Sequence, residues 1–290
     1  MVATQLTLRL MGAPTLLTGD APVALSPGAS LLCAYLALGP KEGRSRDVAA
    51  AQLFTDCPTT SARRRLNTAL WRLRNEVRER TGVDIVGAVG AQRVSLNSAV
   101  DMALDARVFE ELVTPAFASK ATELTKEQAG SLEAAVRMRH GQLVEACDEE
   151  WVLAERARIE DLYLTALDCL LQYYGAHGEP GAVAKYGDMA LALEPLREDI
   201  HRHLMTAYAA ANRDDLVERQ FERCRAVLLE ELGADPLPET VALYSRLRRG
   251  ESGPNPSVGA LTQELERARR EIARLSEIVE RALEHVARMS

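Results

Sequence analysis

Apolar positions recur along this chain with two different periods, and the change from one to the other divides it. Between residues 5 and 25 the spacing is short: Leu6, Leu8 and Leu10, then Leu16 and Leu17, then Val23 and Leu25, interrupted by Gly12, Pro14, Gly19 and Pro22. Period two broken by turn formers predicts short antiparallel strands. A helix is expected from Ser26-Pro27, with Leu31, Leu32, Tyr35, Leu36 and Leu38 on its buried side and Gly39-Pro40 as its stop. Ser45 is placed to cap a second helix carrying Val48, Ala49, Leu53 and Phe54. After Pro58, Thr59-Thr60-Ser61 offers caps for a third helix reaching about Glu79. Two β runs, Asp84–Val86 and Arg93–Leu96, then read as a hairpin around Gly87 and Gly90. Strands, three helices and a closing hairpin predict a winged helix-turn-helix, whose third helix is the one that enters a major groove.

From Ala103 to about Arg249 the pattern is helical. Two stretches, 164–195 and 202–236, each place two helices around a polar turn. Gly178 lies about 35 residues from Arg213, as Tyr186 does from Phe221, near the tetratricopeptide period. A Gly/Pro/Ser-rich linker follows at 250–259. From 260 to 290 the apolar residues return every seven: Leu265, Ile272, Val279 and Val286 at one core position, with Leu261, Ala268, Leu275, Ala282 and Met289 at the other. That predicts a coiled coil joining two or more copies of the chain, with Leu261, Leu265, Ile272, Leu275, Val279 and Val286 as the oligomerisation seam. An amphipathic helix folded back on its own chain remains open, because Ile278 and Leu283 widen the apolar face. The expected fold is mainly α with a small α+β N-terminal domain. Its parts are a winged helix-turn-helix over 1–100, tetratricopeptide-like hairpins over 101–249, the linker, and a coiled-coil helix over 260–290.

Charge sharpens this division. The net charge of −7 argues against a nucleic-acid partner, yet residues 1–100 carry 12 Lys and Arg against 7 Asp and Glu, while the remainder carries 23 against 35. A basic reading domain beside an acidic partner-binding domain has this asymmetry. The five cysteines are scattered without a CxxC pair, which fits buried thiols in a reducing cytoplasm rather than a zinc site. No stretch is apolar enough to cross a membrane, and the first residues carry no secretory pattern. No nucleophile elbow, dinucleotide fingerprint or phosphate loop occurs, and His201 and His203 lie on different helix faces, so neither enzyme nor cofactor is expected.

The third helix carries the chemistry. At 100° per residue, Leu66, Leu70, Leu73 and Val77 form one narrow stripe, and Arg63, Arg64, Asn67, Thr68, Trp71, Arg74, Asn75 and Arg78 lie opposite. Arg can bond guanine twice and Asn adenine twice in a major groove. Arg63, Arg64 and Arg65 are expected in the first turn, where cations oppose the helix dipole by about 0.3–1 kcal/mol each and an anion would be welcome. Trp71 projects from the polar side, where a core gains nothing from it. Lys41, Arg44 and Arg46 are candidates to grip flanking phosphates, and Arg93 is a candidate wing residue for a minor groove.

These residues resemble the Streptomyces antibiotic regulatory protein family: ARRRLNTALWRLRNEV, preceded by SRDVAAAQLF and followed by RVSLN and VDMALDARVFEELV. The resemblance runs over about residues 5–247. It implies a response-regulator-type winged helix joined to an all-helical bacterial transcriptional activator domain. It also implies binding to direct repeats near a promoter and contact with RNA polymerase, with the loop Thr55 to Thr60 as one place polymerase touches. The chain departs from the family pattern at Pro27-Gly28-Ala29, where basic residues are common, at Phe54 for a frequent Trp, and at Val94 for a frequent aromatic. The expectation is a cytoplasmic, sequence-specific transcriptional activator with double-stranded promoter DNA, RNA polymerase and itself as partners. The rival is a tetratricopeptide-like adaptor or ligand-responsive regulator whose winged helix no longer binds DNA strongly.

Overall fold

The structure, a computed structural model, describes residues 5–89, 92–118, 121–145 and 147–250. The linker and the heptad tail with Leu261, Leu265, Ile272, Leu275, Val279 and Val286 lie outside the described residues. The expected strands are present as β1 (Leu6–Arg9), β2 (Thr15–Thr18) and β3 (Ala21–Val23). They pair antiparallel, with Leu8 opposite Leu16 and Leu16 opposite Val23, so that the apolar members of each run share the buried face. Helix α1 (Pro27–Ala37) is buried along most of its length, α2 is Arg46–Leu53, and α3 is Thr59–Thr81. The stripe Leu66, Leu70, Leu73 and Val77 is buried, joined by Ala62 and Ala69, and α3 ends on the left-handed Gly82. A second sheet holds β4 (Arg44–Ser45), β5 (Val86–Val89) and β6 (Arg93–Leu96), in the order β4-β6-β5. The hairpin is therefore three-stranded, and β5 begins two residues later than the spacing predicts.

Two local expectations need correction. No side-chain cap bond is made at the start of α2 or α3; Ser45 sits at the α2 N-cap position with its backbone paired in β4, and α3 already begins at Thr59 after Pro58. Arg63, Arg64 and Arg65 thus fall in the second turn of α3, where the helix dipole acts on them less.

The chain beyond residue 100 still belongs to the first sheet. Strand β7 (Met102–Leu104) runs parallel to β1, giving the order β3-β2-β1-β7. Helix α4 (Asp105–Phe117) starts directly from it, and Asp105, 6% exposed, turns back across the strand ends. Its carboxylate accepts from the backbone N–H of Leu10 (2.8 Å), Met11 (3.0 Å) and Ala106 (2.8 Å). Burial holds its pKa above the usual carboxylate range, against the opposing pull of those three donors. The loop before α6 completes the joint: Val144 N–H donates to Leu10 O at 2.7 Å and His140 N–H to Met11 O at 2.9 Å. Val144 is buried at φ 51°, a backbone state costly for a β-branched residue. Arg156 steadies that turn by donating to the carbonyls of Leu143, Val144 and Cys147.

The rest is helical: α5 (Lys126–Arg137), capped by a Thr125/Gln128 capping box, then α6 (Glu150–Ala176), α7 (Pro180–Leu191), α8 (Glu198–Ala210), α9 (Asp214–Leu232) and α10 (Pro238–Arg248). Helices α6/α7 and α8/α9 form two hairpins whose turns each carry a left-handed residue, Gly178 and Asn212, about one 34-residue tetratricopeptide period apart. The observed fold is thus mainly α, with a small α+β N-terminal part and repeated helical hairpins. One continuous apolar core runs from Leu6 in β1 through Leu73 in α3 and Phe109 in α4 to Leu204 in α8. Within the hairpins His201 is buried. Its Nε2 donates to Pro195 O, since a carbonyl only accepts, and Nδ1 accepts from Gln220 Nε2 at 2.7 Å.

Two outcomes are expected. Asp105→Ala strands three buried N–H groups and should lower unfolding free energy by about 2–5 kcal/mol in a denaturant titration, with Asp105→Asn intermediate. Burial lowers the His201 pKa below its ordinary 6.5, so the stability it contributes is present above pH 6.5 and lost as pH falls through the depressed value. His201→Gln should flatten the fall in stability below pH 6.5 relative to wild type, as read by denaturant titrations at a series of pH values.

Candidate nucleic-acid interface

The exposed side of α3 lies opposite its buried stripe. Arg63, Arg64, Asn67, Thr68 and Trp71 are exposed there, Trp71 at 63%. They follow one another at helical spacing along a single face. Thr68 spends its hydroxyl on Arg64 O, 3.1 Å away, so its methyl is what it offers outward. Arg64 has no ion pair among the described residues, whereas its neighbours do. Arg63 Nε donates to Asp47 at 2.8 Å, and Arg65 Nη1 donates to Asp56 at 2.7 Å. Arg65 holds the Asp56 carboxyl below its usual range while its guanidinium lies 4.9 Å from the centre of the Phe54 ring. Those contacts shape the α2–α3 loop.

Two of the basic residues further along α3, Arg74 and Arg78, are tied to the hairpin. Arg74 donates to Asp84 at 3.0 Å and Arg78 to the other oxygen of the same carboxylate at 2.8 Å. Asp84 stands just before β5, so this bracket fixes the hairpin against α3.

The remaining candidates separate. Lys41 is exposed in the turn before β4. Arg44 does not reach outward: its guanidinium lies over the Tyr35 ring, 4.3 Å from the centroid, and Nε is buried with no acceptor among the described residues. Tyr35 meets Trp151 of α6 edge-on at 5.0 Å, so this stack joins β4 to the helical part. The close approach that brings β4 there requires Gly43, at φ 75°, because a Cβ would stand 2.8 Å from Val94 O. Arg93 likewise turns back, donating to the carbonyls of Glu42 and Gly43 rather than extending from the wing. Arg46 is brought to α3: its Nη2 donates to Asn67 Oδ1 at 2.6 Å. Together Ser45, Arg46, Asp47, Arg63, Leu66, Asn67 and Gln92 line an open cleft of about 270 Å³ where α2, α3 and the hairpin meet. The spacing rules bring Arg63, Arg64, Asn67, Thr68 and Trp71 together. Asp47 and Gln92, which complete the cleft, carry no sequence signal that marks them.

The bacterial transcriptional activator domain matches residues 104–248. The chain belongs to that family. The activator domain begins at the end of β7 and includes Asp105, so its first residue pair is also the closing piece of the N-terminal sheet. The chain is a transcriptional activator of the Streptomyces antibiotic regulatory type. Among solved structures it is similar to Mycobacterium tuberculosis EmbR in complex with a low affinity phosphopeptide, at 20% identity and a TM-score of 0.66, over 93% of this chain and 71% of that one. At that identity the likeness concerns the fold alone. Comparison with curated proteins finds no match. No helix among the described residues is long and apolar enough to cross a membrane.

Proposed function

We propose that this activator binds promoter DNA through the exposed face of α3, with the acidic activator domain engaging RNA polymerase. The observation that carries the reading is the row Arg64, Thr68 and Trp71: a cation without a carboxylate partner among the described residues, a methyl and an indole left in water on one face. Burial of an indole is worth a few kcal/mol, so a helix that exposes one forgoes that gain unless a partner covers it. A major groove offers such a helix phosphates, guanine edges and thymine methyls. The winged helix, proposed over 1–100, reads DNA; the hairpins, over 101–249, supply the partner surface; the linker 250–259 and heptad tail 260–290 pair copies of the chain. The five free cysteines suit a cytoplasmic setting.

The surface ion pair between Arg63 and Asp47 does not weaken the reading. Exposed pairs are worth about 0–1 kcal/mol, so a phosphate or a base edge displaces one at little cost.

Full-length protein titrated against the DNA upstream of its own gene neighbourhood, across a range of salt, tests this. Affinity should fall steeply with salt. Arg64→Ala and Trp71→Ala should each cost about 1–3 kcal/mol of binding, while Arg74→Ala, whose guanidinium is turned to the hairpin and bonds both Asp84 and the Val86 carbonyl, should cost less. Salt-independent binding, with all three variants alike, would favour the adaptor reading instead.

A further inference from the structure

Arg46 and Asn67, both candidate DNA-contacting residues, are joined side chain to side chain across the cleft between α2 and α3. A guanidinium has donors and no acceptor, so the end of the Asn67 amide 2.6 Å from Arg46 Nη2 has to be the oxygen. That removes the usual ambiguity between the amide's O and N. Arg46 is itself well anchored. It is half-buried at the start of α2, its N–H donates to Gln92 O at 2.9 Å, and the preceding Ser45 pairs with Arg93 in the sheet. The hairpin and α2 therefore fix the origin of the side chain that fixes the amide.

We propose that Arg46 sets which base Asn67 reads, by holding the amide with its oxygen toward α2 and its NH2 outward. The proposal rests on α3 being the DNA-contacting helix. An unconstrained Asn recognises adenine by accepting from the N6 amine while donating to N7. Here the oxygen faces a cation, so an adenine amine approaching it meets another set of N–H donors. The outward NH2 still donates, and it is best complemented by an edge with acceptors and no competing amine: guanine through O6 and N7, or thymine through O4, whereas adenine sets its N6 amine beside N7. Arg63, across the same cleft, supports the same polarity. Asp47 occupies its Nε, leaving the two terminal nitrogens as donors. The cleft mouth thus offers donors from both residues, and an acceptor-rich edge such as guanine fits it.

The test is selection of bound sequences from a randomised pool by full-length protein, for wild type, Asn67→Ala, Arg46→Ala and Arg46→Met. Asn67→Ala locates the position concerned by flattening its base preference. Wild type should prefer guanine or thymine over adenine there by about fivefold to tenfold. Both Arg46 variants should shift that one position toward adenine and leave the other positions unchanged. Arg46→Met keeps the aliphatic stem, so it separates loss of the bond from loss of packing; thermal melts confirm which variants are folded. A wild-type preference for adenine at that position overturns the proposal, as does an even loss of affinity with unchanged preferences, which would make Arg46 a phosphate contact only. If wild type selects no sequence at all, the DNA reading itself fails and the proposal falls with it.

Discussion

Where β1 ends at Arg9 and β7 ends at Leu104, the N–H groups of Leu10 and Met11 leave the sheet with no strand opposite, and the Asp105 carboxylate is what they donate to. Buried backbone donors without partners are expensive, so the chain can turn from strand into helix here only if something accepts those bonds. A carboxylate does so at its own desolvation cost, which is why its pKa is raised and not lowered. What it secures is geometry. The strand ends are held so that the Leu10 and Met11 carbonyls can in turn receive Val144 and His140, and the apolar core passes through the joint without a gap. A left-handed Val144 persists because Arg156 binds the carbonyls on either side of it.

Much of this was legible in the pattern of residues, and the parts that were not share a cause. Helix α3, 23 residues long, repeats its apolar stripe from Ala62 to Val77, long enough for period alone to specify it. The three-residue β7 and two-residue β4 are too short to have a period, and each exists because a distant strand is there to pair with it. Side-chain fate followed the same divide. Trp71 could be placed on the solvent side by its angle from Leu70 and Leu73. Arg44 looks, among Lys41, Glu42 and Arg46, like an exposed loop cation. Its place over Tyr35 depends on a ring nine residues earlier and on Gly43 admitting the Val94 carbonyl, neither of which local composition encodes. Arg93 was unreadable for the same reason, since its acceptors are carbonyls about fifty residues away. Ser45 was placed correctly at the α2 N-cap, but the α3 cap was misplaced because the polar residues after Pro58 suggest a later start than the backbone takes.

The basic character of the first hundred residues is likewise less free than its count suggests. Asp47, Asp56 and Asp84 each hold arginines of α3, and they fall at the start of α2, in the α2–α3 loop and before β5. The acidic residues here are distributed among the elements that must be oriented relative to α3. They convert part of a positive surface into a set of struts, and leave Arg64 with Trp71 as the uncommitted section of the face.

On the proposed reading of α3, the continuous core has a consequence for where the protein can work on a duplex. A reading helix and a partner surface joined by a flexible tether would tolerate any spacing between a binding site and its neighbour. Here Asp105, the Tyr35–Trp151 contact and the shared apolar interior fasten the activator domain to the winged helix at a set angle. On B-form DNA, inserting about five base pairs turns that angle through half a revolution, to the far side of the duplex, and about ten restores it. If α3 reads DNA as proposed, a protein built this way is sensitive to helical phase, so promoter architecture and protein architecture are constrained to vary together.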